Sequence, residues 1–137
     1  MFKLKGNRKK AHARDRNESV KPVHRQLKEK DIESLILDYL KVIPQSRFWK
    51  NNTTGIFDPA TGKMRLLNGK HHAKGAADIL GVINGRFVAI EVKRPKGKVS
   101  DNQEAFLESI INAGGVAFIA HSLDDVIINL QKFGVIE

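Results

Sequence analysis

The sequence predicts an α/β domain built on a mixed β-sheet with α-helices on its faces. Three observations carry this. Two stretches repeat apolar residues at helical spacing, an Asn-Gly pair joins two strand-like apolar runs, and a third such run lies between two helix signals. The expected order is helix, strand, β-excursion, hairpin, helix, strand, helix, an α/β pattern. There is no internal repeat, and 137 residues suit one domain with a modest core.

The first helix is expected from about Asp31 to Val42. Ile32, Leu35, Ile36, Tyr39, Leu40 and Ile43 follow the i, i+3, i+4, i+7 rule, and Pro44 stops the run. Ser46 to Asn51 reads as a strand, weighted by Phe48 and Trp49. From Thr53 to Gly69 a polar β-excursion is expected, with short runs at Ile56-Phe57 and Met64–Leu67 between turn residues. Asn84-Gly85 then marks a hairpin, because a two-residue type I′ turn needs positive φ at both positions. Ser100 and Gln103 stand at capping-box spacing, and their helix runs through Ala105, Phe106, Leu107, Ile110 and Ile111 to Gly114-Gly115. Val116 to Ala120 forms a short buried strand. Ser122 caps a last helix carrying Leu123, Val126, Ile127 and Leu130.

The hairpin is where chemistry is expected. Its turn places Ile79 opposite Ile90 and Asp78 opposite Glu91, while strand alternation puts Lys93 on the face of Glu91. Opposed residues have Cβ atoms about 4.5–5.5 Å apart, and like charges there repel. Two carboxylates at the end of an apolar hairpin call for a cation, and a hard divalent ion with oxygen ligands is the natural one. The competing reading is an ordinary charged strand end meeting water. Glu33, in the first turn of the first helix, reads on its own as a carboxylate favoured by the helix dipole.

Charge points to an anionic partner. The net charge is +9, and residues 1–30 hold 11 Lys/Arg against 3 acids, so about +8 lies in the N-terminal part. Residues 1–28 therefore read as a basic, solvated arm, either a solubilising tail or a segment tracking phosphates, with the folded domain over 29–137. Two further basic stretches flank the carboxylates: Lys70-His71-His72-Ala73-Lys74 before Asp78, and Arg94-Pro95-Lys96-Gly97-Lys98 after Lys93. The paired histidines have no Cys or further His at ligand spacing, which argues against structural zinc. No cysteine is present, and no apolar run approaches the length of a membrane span. A phosphate-cradling Gly-x-x-x-x-Gly-Lys-Ser/Thr loop is absent too, which disfavours a nucleotide hydrolase.

Taken together, Glu33, Gly75-Ala76-Ala77-Asp78, Glu91-Val92-Lys93 and Ser100-Asp101-Asn102-Gln103 resemble the motifs of the virus-type replication-repair nucleases (VRR-Nuc) of the PD-(D/E)xK superfamily. The resemblance spans about residues 31–122. It departs at Ala77, where the family often has proline, a position that supplies no ligand. The resemblance implies a restriction-endonuclease-like core and a metal-dependent DNA endonuclease. Asp78, Glu91 and the Val92 carbonyl would hold Mg²⁺ or Mn²⁺; Lys93 would serve the attacking water, Glu33 a metal or its water, and Gln103 the Lys93 side of the site. Lys70, His72, Lys74, Arg94, Lys96 and Lys98 would hold the DNA backbone, which positions a strand without reading sequence. The same resemblance implies branched or Holliday-junction DNA in replication or repair, a homodimer, and the cytoplasm of a bacterial or phage-infected cell. The rival is a nucleic-acid-binding module, derived from a nuclease, that does not cut.

Overall fold

The computed structural model describes residues 26–51, 55–65 and 71–137. Most of the expected basic arm, residues 1–25, and Lys70 lie outside them. Among the described residues, nine elements follow in chain order: α1 (Glu29–Leu40), β1 (Ser46–Lys50), β2 (Ile56–Asp58), β3 (Lys63–Arg65), β4 (Ile79–Ile83), β5 (Arg86–Val92), α2 (Asp101–Asn112), β6 (Val116–Ala120) and α3 (Leu123–Lys132). The main sheet has the order β1-β4-β5-β6. Its first three strands are antiparallel and β6 lies parallel to β5, so the sheet is mixed.

Alternation along β5 divides the core into two layers. Val88, Ile90 and Val92 point to the face covered by α1 and α3, where they meet Ile32, Ile36, Leu40, Val126 and Leu130. Ala89 points the other way, onto Ala117 and Leu107 of α2. Glu91 follows Ala89 in this alternation and so lies on the α2 side.

Two expectations about α1 are corrected. It runs from Glu29 to Leu40, starting and ending about two residues earlier than expected. Its carbonyls near Leu40 are closed off by Ser46, whose Oγ donates to Ile43 (2.7 Å) and Leu40 (3.3 Å). Leu35 is exposed, because the buried line is the i, i+4 series Ile32, Ile36, Leu40. On α2, likewise, only Leu107 is fully buried and Ile111 faces solvent. The hairpin agrees with expectation in register: Ile79 pairs with Ile90 and Ile83 with Arg86. Asn84 and Gly85 have φ of 48° and 79°, as a type I′ turn demands.

Candidate active site

Asp78 precedes β4 and Glu91 lies near the end of β5, so the paired register sets their side chains on one face at one end of the sheet. The Asp78 carboxylate turns back on the hairpin. Its Oδ2 accepts a hydrogen bond from the Val92 N–H at 2.9 Å. Glu91 is almost fully buried. One of its oxygens, Oε1, accepts from Gln103 Nε2 (2.6 Å) and pairs with Lys93 Nζ (3.3 Å). The other, Oε2, is buried without a hydrogen-bond partner. Buried carboxylate oxygens are rarely left so, since desolvation without a partner is costly.

The electrostatics follow from this placement. Burial first, then the charge of Asp78, pushes the Glu91 carboxyl up to about 7, against the hydrogen bond and charge of Lys93. Asp78 is also raised, by burial, with the Val92 N–H opposing and Glu33 and Glu29 adding to the rise. Two neighbouring carboxyls that both resist ionisation are poised to accept a cation.

Gln103 is placed by the start of α2. Ser100 Oγ accepts from the Gln103 N–H (3.2 Å), and Gln103 Oε1 accepts in turn from the Ser100 N–H (2.9 Å). This capping box fixes the side-chain amide, so its oxygen serves the helix and its nitrogen serves Glu91. Gln103, expected to support Lys93, reaches it only through the shared Glu91 oxygen. Gly75 brings the preceding loop against the same helix start. Its φ is +69°, and a Cβ there would overlap the backbone of Asn102 and Gln103.

On the opposite side of the sheet end, Glu33 is buried and pairs with Lys50 Nζ at 2.8 Å. Its hydrogen bond and charge raise the Lys50 amine. Sequence reasoning misses Lys50, although strand alternation carries a signal: it shares a face with the buried Phe48, and that face packs on α1. It misses Asn51 as well. The Asn51 N–H donates to the Asp78 carbonyl (2.7 Å) and its Nδ2 to the Ala77 carbonyl (3.2 Å), tying the end of β1 to the start of the hairpin. Glu29, one turn before Glu33, adds negative charge felt by both Asp78 and Glu91. Among the described residues, no three His, Cys, Asp or Glu side chains converge as a metal-binding group.

The basic residues flanking the site occupy exposed positions: His72 and Lys74 before Asp78, and Arg94, Lys96 and Lys98 after Lys93. The second loop is held in shape by the Gly97 N–H donating to the Arg94 carbonyl (2.8 Å) and by His121 Nδ1 at 3.2 Å from that same oxygen.

Comparison with known proteins bears on this constellation. Residues 60–124 match the model of the VRR-NUC domain. That family is of nuclease type. The matched stretch contains Asp78, Glu91, Lys93 and Gln103 but begins after α1, so Glu33 lies outside it. A solved structure described as a VRR_NUC domain protein is similar with a TM-score of 0.55 at 17% identity, covering 80% of this chain and 89% of that one. The chain thus has a restriction-endonuclease-like fold. No curated protein matches it significantly, and no helix among the described residues is long and apolar enough to cross a membrane.

Proposed function

We propose that this VRR-NUC domain is a divalent-metal-dependent DNA endonuclease acting on branched DNA. The observation that carries the reading is the buried, partnerless Glu91 Oε2 beside Asp78. An oxygen so placed, in a pair whose carboxyls are raised by burial and mutual charge, suits a hard cation of the Mg²⁺ or Mn²⁺ type. Asp78, Glu91 and the Val92 carbonyl would hold it, with water completing the shell. Once bound, such an ion supplies Lewis acidity toward the scissile phosphate and lowers the pKa of a bound water.

The remaining work falls to the chain. Gln103 locks the Glu91 rotamer from the capped start of α2, so that Oε2 stays free for the ion. Lys93 Nζ, already drawn to Glu91 Oε1, supplies positive charge and a proton donor beside the reacting phosphate. The Val92 N–H fixes the Asp78 carboxylate so that both acids present to the same space. Glu33, held by Lys50, orders water at the far side of the site. His72, Lys74, Arg94, Lys96 and Lys98, together with Lys70 and the arm over residues 1–28, hold phosphates in a sequence-independent way. The domain proper then comprises residues 29–137. Cutting two strands of a junction in a related way asks for two sites about a twofold axis, and isologous dimers are the commonest oligomers.

The test is a panel of labelled four-way junction, flap, duplex and single-stranded DNAs, incubated with and without Mg²⁺ or Mn²⁺. Cleavage is expected only with metal, to favour branched DNA, and to disappear in Glu91→Gln. Light scattering should give twice the 15.3 kDa of the chain. Tight binding with no cleavage under any condition would favour the non-cutting binding module.

A further inference from the structure

The face of the sheet that carries the carboxylates is only half covered. Among the described elements α2 packs on β5 and β6, and no helix packs extensively on β1 or β4 from that side. Alternation decides which side chains this leaves open. Phe48 pairs with Gly81 and faces the α1 core, so Arg47 and Trp49 point the other way, opposite Val82 and Leu80. Trp49 is 44% exposed and Val82 38%, Leu80 is half-buried, and Arg47 is exposed. Tryptophan is among the more buried residues on average, so an indole left open on a sheet face asks for a partner.

Register places this shelf beside the candidate site. The bond from the Asn51 N–H to the Asp78 carbonyl carries the β1–β4 pairing one residue beyond Lys50 and Ile79. Asp78 is two residues from Leu80, the partner of Trp49, and so stands diagonal to Trp49 on the same face. Diagonal neighbours in an antiparallel pair are about 7–8 Å apart. That is the span of about two nucleotides along a stacked strand.

We infer that Trp49 is a stacking platform for an unpaired DNA base within about two nucleotides of the phosphate at Asp78 and Glu91. Arg47, on the same face, holds the backbone beside that base, since its planar fork matches a phosphate. The inference rests on the nuclease reading above and names what that site selects: DNA with a base already out of its stack, as at a branch point or flap. Every base offers a flat π face, so the contact selects structure and not sequence. A second copy of this chain is the competing occupant. Stable interfaces bury about 800 Å² on each partner, and a patch of that size centred on Trp49 would run over Asp78 and close the site to DNA. A twofold contact there would also bring the two Arg47 side chains together.

Trp49 is the only tryptophan in the chain, so the intrinsic emission of the full chain reports on this side chain alone. The test uses EDTA, where binding is read without cleavage, with a labelled short oligothymidine and an abasic strand of the same length. Oligothymidine should quench the emission. The abasic strand keeps the phosphates without the bases and should bind without quenching. By anisotropy, Trp49→Ala should bind oligothymidine about tenfold more weakly, within the range for one stacked base. Its affinity for the abasic strand should stay within about twofold of the parent, since those contacts are to phosphates. Trp49→Phe keeps an aromatic face and should recover most of the loss. Should Trp49→Ala fail to fold by circular dichroism, the quenching of the parent and the affinity of Trp49→Phe still decide the matter. Binding of oligothymidine without quenching would overturn the inference, as would equal quenching by the abasic strand. A folded Trp49→Ala that bound both strands like the parent would do the same. So would an emission shift on raising protein concentration without DNA, matched by an oligomer in sedimentation that Trp49→Ala dissociates, which would make the shelf a contact between copies. A parent that is quenched by oligothymidine yet cuts no DNA with Mg²⁺ or Mn²⁺ would sink the nuclease reading separately, with the stacking platform standing on its own readout.

Discussion

Burial and the neighbouring Asp78 raise the Glu91 carboxyl to about 7, and Lys93 only partly opposes them. A raised carboxyl binds its proton more tightly in the folded chain than in the unfolded one, whose glutamate titrates near 4.5. Stability of the metal-free protein should therefore fall as pH rises from about 4.5 through about 7, and decline no further above that window. A shift of that size corresponds to on the order of 3 kcal/mol, and Asp78, raised in the same direction, adds to the trend. Urea denaturation in EDTA at pH 5 and pH 8 should show the parent less stable at the higher pH. Glu91→Gln should flatten most of that difference, and Mg²⁺ or Mn²⁺ should restore stability to the parent alone at pH 8. A parent as stable at pH 8 as at pH 5 would show that Glu91 ionises freely and that no cation is wanted there. For Asp78 the cleaner substitution is Asn. Asp78→Ala leaves the Val92 N–H without its acceptor, at a cost of about 1–3 kcal/mol that mixes structure with chemistry.

At the scale of elements, the site is assembled where the β4–β5 hairpin, the α2 start and the loop before Asp78 meet. Gly75 makes the tightest approach among these. Gly75→Ala places a Cβ in the left-handed region and against the backbone of Asn102 and Gln103. Gly85→Ala shares the unfavourable φ, at +79°, but its Cβ meets open space. Backbone strain alone is worth about 1–2 kcal/mol, so Gly75→Ala should destabilise clearly more than Gly85→Ala in thermal melts. It should also depress cleavage, because it pushes on the residue that holds Glu91. Equal destabilisation would mean that the loop yields and does not position Gln103. This part of the architecture is legible in the sequence for local reasons. The Asn84-Gly85 turn sets a register that brings Asp78 opposite Glu91, and Ser100 with Gln103 declares its own cap. The Lys50–Glu33 pair and the Asn51 clasp are not legible, because they join residues far apart in the chain through packing of α1 on the sheet. The depth of Glu91 is hidden in the same way: a Glu-x-Lys strand end looks solvated until α2 covers that face.

Across the whole molecule, charge is divided unevenly. Residues 31–137 contribute only about +1 of the net +9, since 11 of the 24 Lys/Arg fall within residues 1–30 against 3 of the acids. Within residues 31–137, Lys74, Arg94, Lys96 and Lys98 flank the carboxylates and Lys63 and Arg65 lie on the Ile56–Arg65 hairpin, while Lys41, Arg47, Lys50, Arg86 and Lys132 are spread over the rest of the fold. If the segment before α1 tracks phosphates, deleting residues 1–28 should weaken DNA binding and flatten its salt dependence. On duplex DNA each neutralised phosphate accounts for about 0.9 of the slope of log K against log salt. A decrease of about two to four in that slope is expected for a segment using only part of its ten lysines and arginines. Fluorescence anisotropy across a salt titration, with parent and deletion on the same labelled duplex, measures it. Turnover at saturating DNA should survive, because Glu33, Asp78, Glu91, Lys93 and Gln103 all lie beyond the deletion. An unchanged slope would assign the segment to solubility alone and leave phosphate holding to the loops around Lys74 and Lys96. A changed slope with turnover abolished at saturation would mean instead that the segment helps to build the site, and the domain boundary would move upstream of Glu29.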